Sequence, residues 1–313
     1  MLKVFLLFVL SLSNVYALNC GDTITTKVRL TEDLDCSEYT GYAALIIKEN
    51  GILQGNDFSI IAPNTSAVIY AEGGDIRVRR TNIIGSENNI GVMGYNVQKL
   101  VVNNSNIDGA YIGVDYYTED SYACDRLRVS NSHVRNNEYA VRVNAPNCDY
   151  VPRFVNNDFS NSKSFALNIT SKRIRLVEKQ NNIFDGSSNG LLLKSDELIR
   201  IKDLDLSNAQ IAGSLIYVYS SAKLVVDGAK LANGYEGIHA YDVADVRIRN
   251  VLAENMQTGI KVVNESVTTS LKVRNTETNG NNIGLLIAKY GNAEFSEVKL
   301  INNMINDYLA NNS

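Results

Sequence analysis

One short repeat constrains the fold of this sequence more than any other feature. A small residue followed by an aliphatic one recurs eleven times, at intervals of 22 to 27 residues. The small residues are Ala44, Ala67, Gly91, Gly113, Ala140, Ala166, Gly190, Ser214, Gly237, Gly259 and Gly284. Each pair is followed by two stretches of alternating apolar residues with a one-residue shift between them, as in Leu127, Val129, Ser132 and Val134. Such a shift indicates two short strands joined by a tight turn, so each repeat predicts three short strands.

The residue at the phase shift is often asparagine. The instances are Asn104, Asn131, Asn156, Asn250 and Asn275. Asparagine tolerates the left-handed backbone of a sharp turn, and its amide can bond to the same amide one repeat away. Chance is the competing interpretation, because asparagine is abundant throughout this chain. Recurrence at one phase favours a stacked asparagine ladder.

A unit of this length can bury its aliphatic side chains only against neighbouring units, which predicts a solenoid. Leucine-rich repeats have a similar period of about 20–29 residues, but they need a helical segment on the return side. Helix-forming runs are missing here. A left-handed β-helix is also disfavoured, because the intervals are not hexapeptide multiples.

The pattern resembles the pectin-lyase-like superfamily of right-handed parallel β-helices over nearly the whole chain. The three strands per unit, the ladder at the second turn, and the opening Cys20-Gly21-Asp22-Thr23-Ile24-Thr25 with Asp33-Leu34-Asp35-Cys36 carry the resemblance. It implies an all-β, single-stranded right-handed parallel β-helix of about eleven coils with three short strands per coil. This superfamily includes lyases, hydrolases, epimerases, tailspikes and non-catalytic surface proteins, so the resemblance implies a fold and leaves the activity open.

The N-terminus has the features of a secretory signal peptide. Lys3 precedes an apolar run, and Val15-Tyr16-Ala17 suits cleavage, so residues 1–17 are expected to be removed. We expect residues 18–57 to form an N-terminal cap with the first coil, 58–301 the β-helix and 302–313 a polar tail. No later apolar run approaches the roughly 20 residues of a membrane helix. The expected location is therefore extracellular or at the cell surface, or periplasmic in a double-membraned bacterium.

The four cysteines of an exported chain predict two disulfides. Cys20 lies near Cys36, and Cys124 and Cys148 fall one repeat apart in two long loops. With only two histidines, we expect neither a metal site nor a cofactor, and calcium is compatible but not indicated. The net charge of −4, with acids and bases interspersed, disfavours nucleic acid and anionic membranes as partners. The oligomeric state is not indicated.

The residue two positions after each small residue is predicted to point outward from the first strand. Read along the stack, this column is Ile46, Ile69, Met93, Asp115, Arg142, Asn168, Leu192, Ile216, His239, Lys261 and Leu286. Two polar groups interrupt it. The first is Asp115, Arg142 and Asn168, with Tyr95, Tyr117, Asn144 and Thr170 in the next outward column. The second is Glu236, His239, Tyr241, Asp242 and Lys261.

In the enzymes that this pattern resembles, the first-strand face and the following loop form the substrate groove. The resemblance implies that Arg142 would neutralise a uronate carboxylate or abstract a proton, Tyr117 would donate one, and Asp115 would position a cation or a sugar hydroxyl. The remaining members of both groups would bind substrate: Tyr95, Asn144, Asn168, Glu236, His239, Tyr241, Asp242 and Lys261. A plain cross-strand ion pair between Asp115 and Arg142 is the alternative.

Two functions follow from these patterns. The first is binding, with or without cleavage, of a polysaccharide or cell-surface glycan on the first-strand face; an enzyme of this kind would be a polysaccharide lyase or a glycoside hydrolase. The adjacent aspartates and Gly-His-Gly of polygalacturonases are missing, which counts against catalysis. The alternative is a non-catalytic structural or adhesive protein that contacts another surface protein. The apolar stripe of Ile46, Ile69 and Met93 favours this alternative.

Overall fold

The computed structural model describes residues 17–119, 126–150, 152–177 and 181–310. These residues form strands and turns and contain no helix. The strands are β1 (Asp22–Ile24), β2 (Lys27–Arg29), β3 (Leu34–Asp35), β4 (Ala43–Lys48), β5 (Ile52–Gln54), β6 (Ser59–Ile61), β7 (Ala67–Glu72), β8 (Asp75–Arg79), β9 (Asn82–Ile84), β10 (Ile90–Tyr95), β11 (Lys99–Asn103), β12 (Asn106–Asp108), β13 (Ile112–Tyr117), β14 (Arg126–Ser130), β15 (His133–Arg135), β16 (Tyr139–Tyr150), β17 (Arg153–Val155), β18 (Phe165–Val177), β19 (Asn189–Ser195), β20 (Leu198–Leu206), β21 (Ser214–Ala232), β22 (Glu236–Glu254), β23 (Thr258–Val263), β24 (Thr269–Asn279), β25 (Ile283–Ala288), β26 (Tyr290–Ile301) and β27 (Ile305–Ala310).

The strands stack in parallel into three sheets. The first-strand sheet has the order β1-β4-β7-β10-β13-β16-β18-β19-β21-β22-β23-β25-β27, and the other two follow β2-β5-β8-β11-β14-β17 and β3-β6-β9-β12-β15. All eleven small–aliphatic pairs lie in the first-strand sheet, between β4 and β25. The predicted all-β parallel solenoid of about eleven coils is therefore confirmed. In the C-terminal half, single long strands such as β21 and β22 run through the turns that separate strands in the N-terminal half.

The second turn of each coil is built on one left-handed residue. From the third coil onward these residues are Arg80, Asn104, Asn131, Asn156, Asn181, Asp203, Gly228, Asn250, Asn275 and Glu297, with φ between 42° and 76°. All five asparagines predicted for the ladder adopt this conformation. The Asn156 amide donates to Asn131 Oδ1 at 3.1 Å, and Asn275 donates to Asn250 Oδ1 at 2.7 Å. Asn104 bonds instead to its neighbour Asn103, so the amide ladder forms between two of the predicted pairs.

The core consists of columns of inward aliphatic side chains, one from each coil. In the first-strand sheet the column is Leu45, Ile69, Val92, Val114, Val141, Leu167, Leu191, Ile216, Ile238, Ile260 and Leu285. Every member is at most 3% exposed, and burying one such side chain contributes about 1.5–3 kcal/mol. The small residue before the column is needed where coils meet closely, because a Cβ on Gly113 would lie 2.7 Å from the backbone oxygen of Ala140 in the next coil.

This inward column corrects the predicted outward one at two coils. Ile69 and Ile216 were expected to face outward, but both are fully buried, and Tyr70 and Tyr217 take the outward positions. The physical reason is that Val68 and Leu215, rather than Ala67 and Ser214, lie in the place that a small residue holds in the other coils. The small–aliphatic pattern was therefore one residue out of phase there.

The N-terminal end is closed by the predicted disulfide between Cys20 and Cys36, whose Cα atoms are 5.8 Å apart. Residues 18–57 hold a complete coil, β1 to β3, which pairs with β4 to β6. Cys148 is also disulfide-bonded, and its predicted partner, Cys124, lies outside the described residues. The predicted signal peptide lies outside them too, apart from Ala17. Nowhere in the described chain is there a helix long and apolar enough to span a membrane.

The C-terminal boundary differs from the prediction. Residues 302–313 were expected to be a polar tail, but β27 lies within them and pairs with β25 from Ile283–Ile305 onward. Asp307 takes the position opposite the core residue Leu285 and is exposed. A strand with a carboxylate in the inward column lacks the apolar alternation that marks the other coils, which is why the sequence pattern ends too early.

Candidate functional site

The outward face of the first-strand sheet presents two columns of side chains. The first is Ile46, Tyr70, Met93, Asp115, Arg142, Asn168, Leu192, Tyr217, His239, Lys261 and Leu286. The second is Lys48, Glu72, Tyr95, Tyr117, Asn144, Thr170, Lys194, Tyr219, Tyr241, Val263 and Ala288. All the site residues predicted in these columns lie in adjacent register as expected, and they fall into two separate clusters.

The arginine cluster consists of Asp115 and Arg142 with the neighbouring tyrosines Tyr95 and Tyr117. Arg142 donates from Nε to Asp115 Oδ1 at 2.9 Å and from Nη2 to Oδ2 at 2.6 Å. The Asp115 side chain is only 3% exposed, whereas that of Arg142 is 38% exposed. The hydrogen bond to Asp115 raises the pKa of Arg142 above its ordinary value despite the opposing effect of burial.

This geometry limits what the pair can do chemically. The raised pKa of Arg142 makes it a poor proton acceptor, although its exposed part can still attract an anionic group. Both oxygens of Asp115 accept from the guanidinium and the side chain is almost fully buried, so the carboxylate offers little access to a cation or a sugar hydroxyl. The cross-strand ion pair, given above as the alternative, is therefore present.

Tyr95 and Tyr117 form a stacked pair beside this ion pair. Their ring centroids are 5.6 Å apart and their planes differ by 6°. The Tyr117 hydroxyl donates a hydrogen bond to Glu119, and this bond is the main reason that the pKa of Tyr117 is raised. Asn144 lies opposite Tyr117 in the next coil and Asn168 lies opposite Arg142, both half-buried. The cluster therefore combines an aromatic surface with flanking amides.

The glutamate cluster lies further along the same face and is centred on Glu236. One oxygen, Oε2, accepts from Ser214 Oγ and bonds His239 Nδ1, each at 2.8 Å, and the other accepts from Lys261 Nζ at 2.8 Å. The Glu236 side chain is 9% exposed. Burial raises its pKa, but the hydrogen bonds from His239 and Lys261 outweigh burial and hold the pKa at about 2. Glu236 is thus a carboxylate at neutral pH and cannot serve as a general acid.

A second stacked tyrosine pair flanks this cluster. Tyr219 and Tyr241 have centroids 5.7 Å apart and planes within 12°, and Lys194 Nζ lies 5.6 Å from the Tyr219 centroid. A hydrogen bond to Glu265 is the main cause that raises the pKa of Tyr241 to about 12. The Tyr217 ring contacts the His239 ring edge-on, with ring centroids 4.7 Å apart.

Asp242, another predicted member of this group, bonds to a neighbouring loop and not to Glu236. Its Oδ1 accepts the backbone N–H groups of Glu265 at 2.7 Å and of Ser266 at 3.0 Å. Its φ of 52° places it in a left-handed turn. Asp242 therefore orders the loop after β23. Burial raises the pKa of Asp242, but the two backbone hydrogen bonds outweigh burial and leave the pKa below its ordinary value.

Ser214 and Tyr217 were not among the predicted site residues. The one-residue phase error at Ser214 placed Ile216 on the outward face instead of Tyr217. It also hid the alignment of Ser214 with Glu236 in the next coil. The signal that could have found them is the polar pair itself, a hydroxyl and a carboxylate one coil apart.

The two clusters lie well apart on one face. From β13, which carries Tyr117, to β21, which carries Tyr219, there are four sheet steps, or about 19 Å at about 4.8 Å per step. Within the described part of the chain, no group of three or more His, Cys, Asp or Glu side chains is arranged to hold a metal ion.

Comparison with known proteins identifies the family. A search of curated proteins finds no match to this sequence. Among solved structures, the catalytic domain of GH87 α-1,3-glucanase in complex with nigerose matches with 15% identity over 94% of this chain and a TM-score of 0.35. A variant of that domain in complex with tetrasaccharides matches with 16% identity over the same share of this chain and a TM-score of 0.28. In both matches this chain spans 63% of the solved chain's length.

The family model described as "right handed beta helix region" matches residues 143–305, which is more than half of the chain. This match agrees with the parallel three-sheet solenoid, with the left-handed second turns and with the resemblance to pectin-lyase-like proteins. The chain belongs to the family of right-handed β-helix proteins.

Proposed function

We propose that this chain is an exported glycan-binding protein whose ligand lies along the outward face of the first-strand sheet. The observation that carries the proposal is the presence of two stacked tyrosine pairs, Tyr95–Tyr117 and Tyr219–Tyr241, in the same outward column. Aromatic rings can receive the apolar C–H face of a sugar ring, and nearby polar groups can bond its hydroxyls. The arginine and glutamate clusters lie directly beside the two pairs.

Binding without cleavage fits the electrostatics better than catalysis does. A glycosidase needs two carboxyl groups about 5–9.5 Å apart, one of them protonated. Asp115 and Glu236 are five sheet steps apart, or about 24 Å at about 4.8 Å per step. A lyase needs a base, and the raised pKa of Arg142 makes it a poor one. The clusters are better suited to orienting a ligand than to transferring protons.

Export is part of this proposal and is supported by the Cys20–Cys36 disulfide, since such bonds persist in oxidising compartments. The competing adhesive function has less support than the sequence pattern gave it. Its apolar stripe included Ile69, which is buried in the core, and Tyr70 lies in that outward place instead.

The test uses the purified protein and immobilised polysaccharides, both neutral and uronate-containing. Retention would be measured for the wild type, the double variant Y95A/Y117A and the double variant Y219A/Y241A. Phe295→Ala is the matched control, since Phe295 is 42% exposed and lies on β26, outside both outward columns. Reducing ends and unsaturated-uronate absorbance would be followed in the same samples.

We expect at least one polysaccharide to retain the protein, and each double variant to bind about tenfold more weakly, as the loss of about 1.4 kcal/mol of stacking would produce. No product should form. Unchanged retention in both double variants would overturn the proposed face. Product formation would overturn the non-catalytic part, and silence on every glycan would favour the adhesive alternative.

A further inference from the structure

A shallow, open cleft lies outside the two outward columns, at the turns that lead into the first strands of four consecutive coils. It has a volume of about 490 Å³. Its principal lining residues are Ile211, Tyr235, Asn255, Met256, Gln257 and Asn282. We call it the turn cleft. None of its lining residues belongs to the arginine or the glutamate cluster.

The cleft arises from a change in turn length. Residues 207–213 make a seven-residue connection between β20 and β21, whereas the next three connections of this kind, 233–235, 255–257 and 280–282, have three residues each. One wide turn followed by three tight ones leaves a recess beside the wide one. Ile211 and Met256 are 1% and 5% exposed and give the recess a buried apolar floor.

The three tight turns place one column of side chains along the cleft. Tyr235, Gln257 and Asn282 each directly precede a first strand, at β22, β23 and β25. The backbone connects them in order, because Thr258 N–H donates to Tyr235 O and Ile283 N–H donates to Gln257 O. At about 4.8 Å per coil, the column spans about 10 Å. This length suits one or two sugar rings.

The chemistry of the column is aromatic at one end and amide along the rest. The Tyr235 side chain is 56% exposed. The Asn282 amide donates to Gln257 Oε1, and an amide pair joined this way keeps a further donor on Gln257 and a further acceptor on Asn282. Among the described residues that line the cleft there is no aspartate, glutamate, lysine, arginine or histidine. This lining suits an uncharged ligand with one apolar face and several hydrogen-bonding groups.

We propose that the turn cleft is a separate binding site for a neutral saccharide, with Tyr235 as the stacking platform and Gln257 and Asn282 as hydrogen-bonding residues. This site goes beyond the proposed function and does not depend on it. The chain also contains a comparison residue. Tyr111 directly precedes β13, just as Tyr235 directly precedes β22, but its ring packs edge-on against Tyr139, with centroids 5.9 Å apart.

The experiment measures binding of cellotetraose, maltotetraose and tetra-N-acetylchitotetraose by calorimetry and saturation-transfer NMR, with tetragalacturonate as the charged comparison. The variants are Tyr235→Ala, Tyr235→Phe, Gln257→Ala and Asn282→Ala. Tyr111→Ala is the matched control, and Y219A/Y241A tests the other site. Thermal melting checks that each variant is folded.

At least one neutral tetrasaccharide should bind the wild type, and Tyr235→Ala should weaken its binding about tenfold or more. Tyr235→Phe keeps the ring and should retain most of the affinity, while Gln257→Ala and Asn282→Ala should each lose several-fold. Tyr111→Ala and Y219A/Y241A should leave this binding unchanged.

The inference is overturned if no neutral tetrasaccharide binds, if tetragalacturonate competes for the same site, or if folded Tyr235→Ala binds like the wild type. If Y219A/Y241A loses binding of the neutral tetrasaccharide while Tyr235→Ala binds it fully, the result would support the first-strand face as the site and overturn the turn cleft. The reverse pattern would support the turn cleft and count against the first-strand face as the site for that saccharide.

Discussion

Asp115 and Glu236 are both buried carboxylates on the same outward face, but they are neutralised differently. A single bidentate guanidinium occupies both oxygens of Asp115. Glu236 is shared by a hydroxyl, an imidazole and an ammonium from Ser214, His239 and Lys261. The first arrangement depends on one partner, whereas the second distributes the charge over three coils, so we expect it to tolerate the loss of one contact better.

The largest effect should come from breaking the Asp115–Arg142 pair on its cationic side. Arg142→Ala leaves Asp115 buried without a partner, and we expect the free energy of unfolding to fall by about 3 kcal/mol. Asp115→Ala should cost less, about 1 kcal/mol, because the partly exposed Arg142 can turn toward water. Denaturant unfolding of both variants measures this asymmetry.

The double variant D115A/R142A is the control for that prediction. It removes the stranded charge and should be more stable than Arg142→Ala alone. Equal losses in the two single variants would show that Asp115 is not effectively buried.

The next effect concerns the pH dependence of stability, because the pKa of Glu236 differs from that of an ordinary glutamate side chain. The folded pKa of about 2 lies below the usual 4.5, so the unfolded chain binds a proton more readily. The stabilisation is therefore complete above pH about 4.5 and is lost as the pH falls toward about 2. We expect at most about 3 kcal/mol from this group over that window.

Glu236→Gln is the variant that isolates this contribution. The variant should have a lower free energy of unfolding at neutral pH than the wild type. It should also lose less of that free energy as the pH falls from 4.5 to 2, as measured by denaturant unfolding at a series of pH values. If both proteins lose stability in parallel between pH 4.5 and 2, the carboxylate is not held as the geometry indicates.

The smallest effect should come from removing one member of the shared set. Lys261→Ala leaves Glu236 bonded to Ser214 and His239, so the free energy of unfolding should fall by only about 1 kcal/mol. Comparison with Arg142→Ala in the same denaturant series tests the difference between neutralisation by one partner and by three. A loss as large as that of Arg142→Ala would mean that Lys261 alone balances Glu236.

The sequence reveals those parts of this fold that depend on local requirements. The inward aliphatics and the left-handed asparagines recur because each coil needs them, so coil number and turn type could be predicted. Which residue of a strand points inward is harder to predict where two aliphatic residues are adjacent, as in Val68-Ile69 and Leu215-Ile216, because either one can face the core. Only the pairing with neighbouring coils decides between them.

The candidate site shows the same division. Asp115 and Arg142 could be predicted as neighbours because parallel register places equivalent residues side by side. Glu236 could likewise be grouped with His239 and Lys261. Its contact with Ser214 could not be predicted, because the phase error at Ser214 hid the alignment of these two residues. The turn cleft depends on the difference between one long connection and three short ones, which needs strand boundaries finer than the pattern provides.

The stack of parallel strands has a consequence for the spacing of the two stacked tyrosine pairs. The rise per coil is set by backbone hydrogen bonds at about 4.8 Å, whatever the side chains are. The separation of the two stacked tyrosine pairs is therefore quantised, and no point substitution can lengthen or shorten it. Only the gain or loss of an entire coil changes this separation, so it can change only in steps of about 4.8 Å.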